Sequence, residues 1–460
     1  MTQTLVLFIA GGLMLLMAMV EVVNLRRTGR LTFLTAAHVL IAIGYCLPAF
    51  LLAFLPGTVW ESRPVSAMGP NPWGSRLYIL DLADALALPP GAYLESGLIL
   101  VGGYAMLVAG YVLAHSRTTP PSLRGGTLPL PGLVAGGLVL GLIAAVALTT
   151  FASQFDGLRH MIEVGLAVRR GNATVQWGAL QVLAEVAFPA SLMLVAAALR
   201  SEGPRRAMLA AASAAVFAVA ALRLAYAGGR LDAAMIVFTP ILAWILVIRS
   251  RTLAISVLVG LGAVALFLGS IDPLFFRDPI RTLGNEFEEL STGLADNVLY
   301  MLAYLGFPHV AAAHTLTVAP GEIAFRHFAD IPLGLAYMLP SFSGVETLPP
   351  MILSLHVKLL PWIPVDLFSF GYYSLGTVGV LISFAAFGAL LAMFDGWLTE
   401  STGWLGQALR AAWLFYLPFR LLYADPYATL QSGFGLITGT LAIIALALWA
   451  AWRRDRPKGL

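Results

Sequence analysis

The sequence predicts an all-α polytopic membrane protein, and three observations support this fold class. Hydrophobic residues make up 59% of the 460 residues and charged residues only 11%, whereas soluble domains average about 45–50% and about 25%. The mean hydropathy is +0.85. The apolar residues form continuous runs of about 20, the length that crosses a bilayer core about 30 Å thick. Together these features exclude a soluble enzyme, a nucleic-acid-binding protein and a disordered scaffold.

Eleven such runs occur, and we predict a transmembrane helix for each. Helices are favoured over a β-barrel because barrel strands alternate polar and apolar residues over only about 10 positions. The predicted helices cover approximately residues 4–24, 31–55, 92–114, 128–151, 174–199, 207–226, 231–248, 252–270, 368–394, 408–424 and 433–452.

The loops between these helices predict one integral membrane domain with a defined orientation. Residues 1–270 carry helices 1 to 8, residues 271–367 form one large loop, and residues 368–460 carry helices 9 to 11. One set of alternate short loops, with the carboxyl terminus, holds more than half of the 27 lysines and arginines. Short loops rich in Lys and Arg stay in the cytoplasm. We therefore expect an outer amino terminus and a cytoplasmic carboxyl terminus.

The segment 271–367 is far longer than an ordinary connection, and loops of this size are usually functional or disordered. It contains apolar runs at 298–307, 331–339 and 351–362 that are broken by prolines and are too short to span. We expect short helices that lie on the outer membrane face or dip into it and roof a cavity. The titratable residues between them suit a substrate with a lipid tail and a polar head.

Three arginines fall near the outer ends of predicted helices, where charge is expensive and marks functional candidates. They are Arg223, Arg230 and Arg420. Guanidinium groups match phosphate oxygens two at a time. The glycines before Arg230 and the helix start after them favour an anion further. The three arginines therefore predict a pyrophosphate site near the outer interface.

A structural role is the alternative for each arginine, since arginines near span ends also extend to lipid headgroups. Arg223 and Arg230 have Asp232 as a possible partner, and Arg420 has Asp425.

Other polar residues give weaker signals. Glu185, in the middle of the fifth predicted helix, either acts directly or balances a neighbouring arginine. Cys46 is the single cysteine, which excludes an internal disulfide and a cysteine metal cluster. His309 and His314 are five residues apart, the wrong spacing for one helical face. We expect no metal and no cofactor.

Two short motifs resemble elements of the Wzy-type O-antigen and exopolysaccharide repeat-unit polymerases. The turn 227–230, Ala-Gly-Gly-Arg, resembles the small-residue and arginine element of that family. The segment 370–380, followed by Phe387 and Gly388, resembles their aromatic and glycine motif after the large outer loop. The order of many spans, one dominant loop in the second half and a few closing helices is also similar.

The resemblance implies a C-type glycosyltransferase architecture in the bacterial inner membrane. Such an enzyme would transfer a growing glycan from undecaprenyl pyrophosphate to the non-reducing end of another lipid-linked repeat unit at the periplasmic face. It implies no cofactor, no nucleic acid, contact with membrane lipid, and a chain-length regulator as a further partner. The loop arginines Arg277 and Arg281 would complete the pyrophosphate site. The candidates for the general base are Asp278, Glu286 and His327.

Two other functions stay open on the sequence alone. An O-antigen ligase or another polyprenyl-linked glycosyltransferase shares the layout and would use the same arginines. A transporter of the lipid-linked oligosaccharide is a different class, and such proteins tend to show paired halves with broken helices at the midplane.

Overall fold

The computed structural model describes residues 2–54, 88–117, 128–157, 160–162, 164–165, 177–227, 235–236, 238–244, 305–321, 324–337, 365–399 and 403–455. Every regular element in these ranges is helical. We number the helices α1 (Thr2–Thr28), α2 (Phe33–Ile41), α3 (Leu47–Phe54), α4 (Pro90–Arg117), α5 (Leu130–Ala152), α6 (Gly178–Leu183), α7 (Ala187–Leu199), α8 (Gly203–Ala227), α9 (Phe307–Val318), α10 (Asp330–Tyr337), α11 (Leu367–Thr399), α12 (Trp404–Tyr416) and α13 (Pro426–Asp455).

Three short turns join some of these helices end to end. A π-helical turn, Ala42–Cys46, joins α2 to α3, and a 3₁₀ turn, Ala184–Val186, joins α6 to α7. A second 3₁₀ turn, Pro418–Leu421, follows α12. Within the described ranges, eight helical stretches are long and apolar enough to cross a membrane. The all-α polytopic architecture that the sequence predicts is therefore present.

Two predicted spans differ from the observed helices. The tenth, 408–424, is not one helix, because α12 ends at Tyr416 and Pro418, which lacks an amide hydrogen, opens a 3₁₀ turn. The ninth, 368–394, lies within α11, which has non-helical backbone at Leu375 and Gly376. Gly376 has φ +63°, a conformation that glycine adopts without steric cost.

Several sequence predictions lie outside the described residues. They include the eighth span, 252–270, half of the seventh, 231–248, and most of the large loop, 271–367. The described parts of that loop contain α9 and α10. Most residues of α9 are buried, and the helix packs against α4, α11 and the π-helical turn.

Small residues bring the longest helices into backbone contact. A side chain on Gly110 of α4 would collide with the carbonyl of Ala385, and one on Gly388 of α11 would collide with the carbonyl of Leu107. Such close crossings are typical of packed membrane helices, where small residues let backbones approach. The crossing of α4 and α11 is the most extensive helix contact in the described part of the chain.

The two ends of the bundle carry different polar groups. At the end where α4, α6, α11 and α13 begin, Tyr45 bonds to Asp366 and Glu185 bonds to Gly435. We call this the Arg420 end. At the opposite end, where α1 and α11 finish and α2 begins, the amide of Phe33 donates to Asp395. We call this the Asp395 end.

Candidate functional site

Arg420, one of the predicted pyrophosphate ligands, lies on the 3₁₀ turn between α12 and α13 and is only 6% exposed. Its guanidinium carbon is 4.2 Å from the centre of the Tyr416 ring, within the range of a cation–π contact. Its Nε donates to the Tyr416 carbonyl at 3.4 Å. The helix break therefore places a buried cation beside an aromatic face, at the point where the chain turns into α13.

Asp425 lies directly before α13 and caps it. Its Oδ1 accepts the amide of Tyr427 at 2.9 Å, in the usual manner of an aspartate at a helix start. Burial raises the pKa of this carboxyl, and the nearby Asp330 carboxylate raises it further. The helix amides and Arg420 favour the charged form. Asp425, the partner that the sequence suggested for Arg420, is therefore close enough for the two charges to interact.

A second arginine joins this group from the segment before α10. The Nε of Arg326 donates to Oδ2 of Asp330 at 2.6 Å, and its Nη2 donates to Oδ1 of the same carboxylate. A bidentate pair of this kind fixes the orientation of both groups. Arg326, Asp330, Arg420 and Asp425 form the charged cluster of the Arg420 end, and we call them the Arg420 cluster.

The break in α11 holds the turn that carries Arg326. Tyr373 and Ser374 come just before the break, and their carbonyls accept the amides of Arg326 and His327, each at 2.9 Å. A side chain on Gly371 would collide with the backbone of Val380, so the short first part of α11 packs back against the longer second part. The glycine motif noted in the sequence thus forms a sharp bend beside the Arg420 cluster.

His327, a predicted general base, is exposed on this turn and has φ +53°. Its neighbour Phe328 also has a positive φ, +59°. Non-glycine residues in this conformation are uncommon and concentrate at functional sites. The structure therefore places one predicted base next to the cluster that contains Arg420.

Arg223 has a different environment. Its Nη2 pairs with Oε1 of Glu185, and both side chains are buried. The other oxygen, Oε2, accepts the amide of Gly435 on α13 at 3.2 Å. This arrangement matches the structural alternative for Glu185, in which the carboxylate balances a neighbouring arginine. The partner that the sequence suggested for Arg223, Asp232, lies outside the described residues.

Helix α13 contacts a neighbour of each of the two arginines. Glu185 contacts it at Gly435, while the Tyr416 hydroxyl donates to the carbonyl of Thr429. Arg223 and Arg420 therefore belong to two polar groups that share one helix.

Asp366 forms another buried polar group at the Arg420 end. Its Oδ1 accepts the Tyr45 hydroxyl at 2.6 Å and the Phe368 amide at 2.9 Å, and its Oδ2 accepts the Ser369 hydroxyl at 2.6 Å. Burial raises the pKa of this carboxyl, while the bonds from Ser369 and Tyr45 act against that change. The Tyr45 hydroxyl also lies 3.4 Å from the Leu421 carbonyl, so this group supports the turn that carries Arg420.

A small cavity of about 20 Å³ lies beside this group and is lined by residues that include Tyr45, Tyr93 and His309. This volume holds about one water molecule and is far smaller than the 300–1,000 Å³ of typical ligand pockets. The His309 ring stacks on Tyr93 with centroids 5.2 Å apart, and burial lowers the pKa of His309 to about 4.

The other predicted site residues lie outside the described residues. They are Asp278, Glu286, Arg230, Arg277 and Arg281. In the described part of the chain, no group of three His, Cys, Asp or Glu side chains could hold a metal ion.

Sequence reasoning missed Arg326, Asp330 and Asp366 as members of a site. Asp366 comes directly before an apolar run, the position of a helix N-cap, and this signal could have identified it. No comparable pattern connects Asp330 to Asp425, because tertiary packing alone brings them together.

Comparisons with known proteins add no family to this description. No family model, no curated protein and no solved structure matches the chain.

Proposed function

We propose that this protein is a glycosyltransferase that polymerises lipid-linked oligosaccharide repeat units. It would transfer the growing glycan from undecaprenyl pyrophosphate to the non-reducing end of another lipid-linked unit, at the periplasmic face of the bacterial inner membrane. One observation carries the proposal: the Arg420 cluster gathers two arginines and two aspartates, all at least partly buried, at one end of an apolar helical bundle.

The reaction assigns distinct tasks to these groups. A base takes the proton from the acceptor hydroxyl, the hydroxyl oxygen bonds to the anomeric carbon, and the bond from that carbon to the pyrophosphate oxygen breaks. The departing diphosphate gains negative charge, which guanidinium groups stabilise. Arg420 is our first candidate for this task, and Arg230, Arg277 and Arg281 are the candidates from the sequence.

Arg223 is a weaker candidate for binding the pyrophosphate, because Glu185 already balances its charge. His327 is the base candidate that the geometry favours, since it is exposed on the turn held by α11. Asp278 and Glu286 remain candidates on the sequence alone.

Replacing the candidate arginines tests their task in living cells. We expect Arg420→Ala and Arg230→Ala to abolish chain extension while membrane insertion stays normal. Arg420→Lys should restore extension only partly, because the planar fork of donors is lost. Arg200→Ala, at an exposed arginine that bonds to the Leu128 carbonyl, is the matched control and should extend chains normally. Full-length polymer in both alanine variants would contradict the proposal.

A ligase and a transporter are the competing functions. The transporter has one observation in its favour, the break at Leu375 and Gly376, because transporters place broken helices at their binding sites. Deletion of the gene in the source organism separates the three. Loss of a polymerase leaves single repeats on the outer leaflet, loss of a ligase leaves long chains on undecaprenyl pyrophosphate, and loss of a transporter leaves repeats on the inner leaflet.

A further inference from the structure

A hydrogen-bonded triad lies at the Asp395 end, away from the Arg420 cluster. The Oε2 of Glu21 on α1 is 2.9 Å from Nδ1 of His38 on α2. The Nε2 of the same imidazole is 3.1 Å from the Tyr104 hydroxyl on α4. His38 and Tyr104 are buried, with exposures of 6% and 1%. The triad therefore connects three helices through one imidazole.

This geometry accommodates two protonation states of His38 without movement of a heavy atom. In the neutral ring, Nδ1–H donates to the Glu21 carboxylate and Nε2 accepts the Tyr104 hydroxyl. In the charged ring, both nitrogens donate, and the Tyr104 oxygen becomes the acceptor. Histidine is the side chain whose ordinary titration falls between pH 5 and 8.

Glu21 is held as the counter-charge and is only partly buried. Its Oε1 accepts the Thr35 hydroxyl at 2.7 Å, and its side chain is 17% exposed. Thr35 lies 3.1 Å from Thr32, which accepts the side-chain amide of Asn24 at 2.8 Å. A polar path thus runs from the buried imidazole to the end of the bundle.

Other charged and titratable groups surround the triad on the neighbouring elements. Asp395 on α11 accepts the Tyr111 hydroxyl at 2.6 Å, and Arg410 on α12 donates to the Leu31 carbonyl at 2.6 Å. The ionisable side chains of the described elements near α2 include Glu21, Arg26, Arg27, Arg30, Tyr45, Tyr104, Tyr111, His115, Asp395, Arg410, Tyr416 and Arg420.

The triad attaches α1 to its neighbours together with the bonds of Thr35 to Glu21 and of Asn24 to Thr32. Only Ala10, Leu13, Met17 and Asn24 are buried on this 27-residue helix, and its other residues are partly or fully exposed. A change in charge at the imidazole therefore alters one of the few strong contacts that hold α1 in place.

We propose that Glu21, His38 and Tyr104 form a proton-binding site, and that proton occupancy sets how tightly α1 is held against α2 and α4. With the proton bound, the imidazolium and the Glu21 carboxylate form a buried ion pair. Without it, the neutral imidazole donates a single hydrogen bond to the Glu21 carboxylate, the ion pair is lost and the attachment weakens. The site does not depend on the proposed glycosyltransferase activity.

The first test measures the charge of His38 directly. The full chain is prepared in lipid nanodiscs with isotope-labelled histidine, and the His38 signal is assigned by solid-state NMR from its loss in His38→Gln. We expect conversion from the neutral to the doubly protonated ring as pH falls from 8 to 5. Glu21→Gln should lower the midpoint by at least one pH unit, a tenfold loss of proton affinity. A ring that keeps one charge state throughout, or an unchanged midpoint in Glu21→Gln, would overturn the proposal.

Two further variants complete this test. Glu21→Asp keeps the charge but shortens the side chain, so it should lower the midpoint of the His38 titration by a smaller amount. It replaces Glu21→Gln in this test if that variant does not fold. Glu95→Gln removes a carboxylate from the other end of α4 and should leave the midpoint unchanged.

The second test measures the attachment of α1. Spin labels at the exposed positions Val23 and Leu113, in a Cys46→Ala background, report the distance between α1 and α4. We expect a narrow distribution at pH 5.5 and a broader one at pH 8, with Glu21→Gln broad at both values. Identical distributions for the parent protein at the two pH values would refute the link to α1.

Discussion

Two buried arginines of the Arg420 end differ in their surroundings, and this difference separates their roles. Arg223 is matched by Glu185, which in turn accepts an amide from α13. Arg420 lies over an aromatic ring beside the start of the same helix. Both arginines were candidates on the sequence, because each lies near the end of an apolar run. The sequence suggested Asp425 for Arg420, but it did not identify the partner of Arg223, since Glu185 precedes Arg223 by 38 positions.

The Glu185–Arg223 pair gives a prediction for stability. Glu185→Gln leaves a buried arginine without its counter-charge, which costs about 3–5 kcal/mol in proteins where it has been measured. We expect a marked fall in the melting temperature in detergent. The double variant Glu185→Leu with Arg223→Met removes both charges and should recover most of the loss.

The same double variant tests the role of Arg223. If the pair is structural, the folded double variant extends chains at the normal rate. Loss of extension in a stable double variant would instead assign Arg223 to the substrate.

His309 predicts a pH dependence of stability. Its pKa is about 4 in the folded chain, against an ordinary value of 6.5. Between these two pH values the unfolded chain binds a proton at this imidazole and the folded chain does not. Stability is therefore complete above about pH 6.5 and falls as pH decreases towards 4, by up to about 3 kcal/mol. Thermal unfolding across this range should show the loss in the wild type and a reduced loss in His309→Gln. His160→Gln, at an exposed histidine, is the control. An equal loss in all three proteins would exclude His309 as the cause.

At the scale of elements, continuous apolar runs predicted helices well, and the interruptions were harder to foresee. The runs that begin near residues 4, 92, 128 and 433 correspond to α1, α4, α5 and α13. The bend in α11 was not predicted, although Gly376 and Gly379 lie within the noted motif. Glycines occur throughout these helices, and only the packing decides which one adopts a positive φ.

The crossing of α4 and α11 predicts an effect of a single methyl group. Gly388→Ala places a carbon against the Leu107 carbonyl, so the helices must separate and the melting temperature should fall clearly. Gly12→Ala in α1, where no atom lies within 4 Å, should be neutral or slightly stabilising through helix propensity, by about 1 kcal/mol at most. Equal effects of the two substitutions would show that this crossing does not depend on close backbone contact.

At the scale of the whole molecule, composition alone predicted a membrane protein, because 11% charged residues cannot cover the surface of a soluble protein of this size. The polar groups at each end could not be predicted from the sequence, since they join residues up to 379 positions apart.

The bias of positive charge in the loops predicts which end faces the cytoplasm. Arg26, Arg27 and Arg30 are exposed at the Asp395 end, and the positive-inside rule assigns this end to the cytoplasm. In a Cys46→Ala background, a cysteine at Thr28 should react only with membrane-permeant reagents in intact cells. A cysteine at Gly91, at the other end of α4, should also react with impermeant ones. The reverse labelling pattern would invert the orientation and remove the periplasmic reaction from the account.

The most direct measurement for the central claim is the binding of undecaprenyl pyrophosphate to the purified protein in nanodiscs, by native mass spectrometry. We predict that the wild type binds this carrier at least tenfold more tightly than undecaprenyl monophosphate, that Arg420→Ala loses this preference, and that Arg420→Lys keeps part of it. Equal binding of the two carriers by the wild type, or an unchanged preference in Arg420→Ala, would contradict the assignment of Arg420 to a diphosphate.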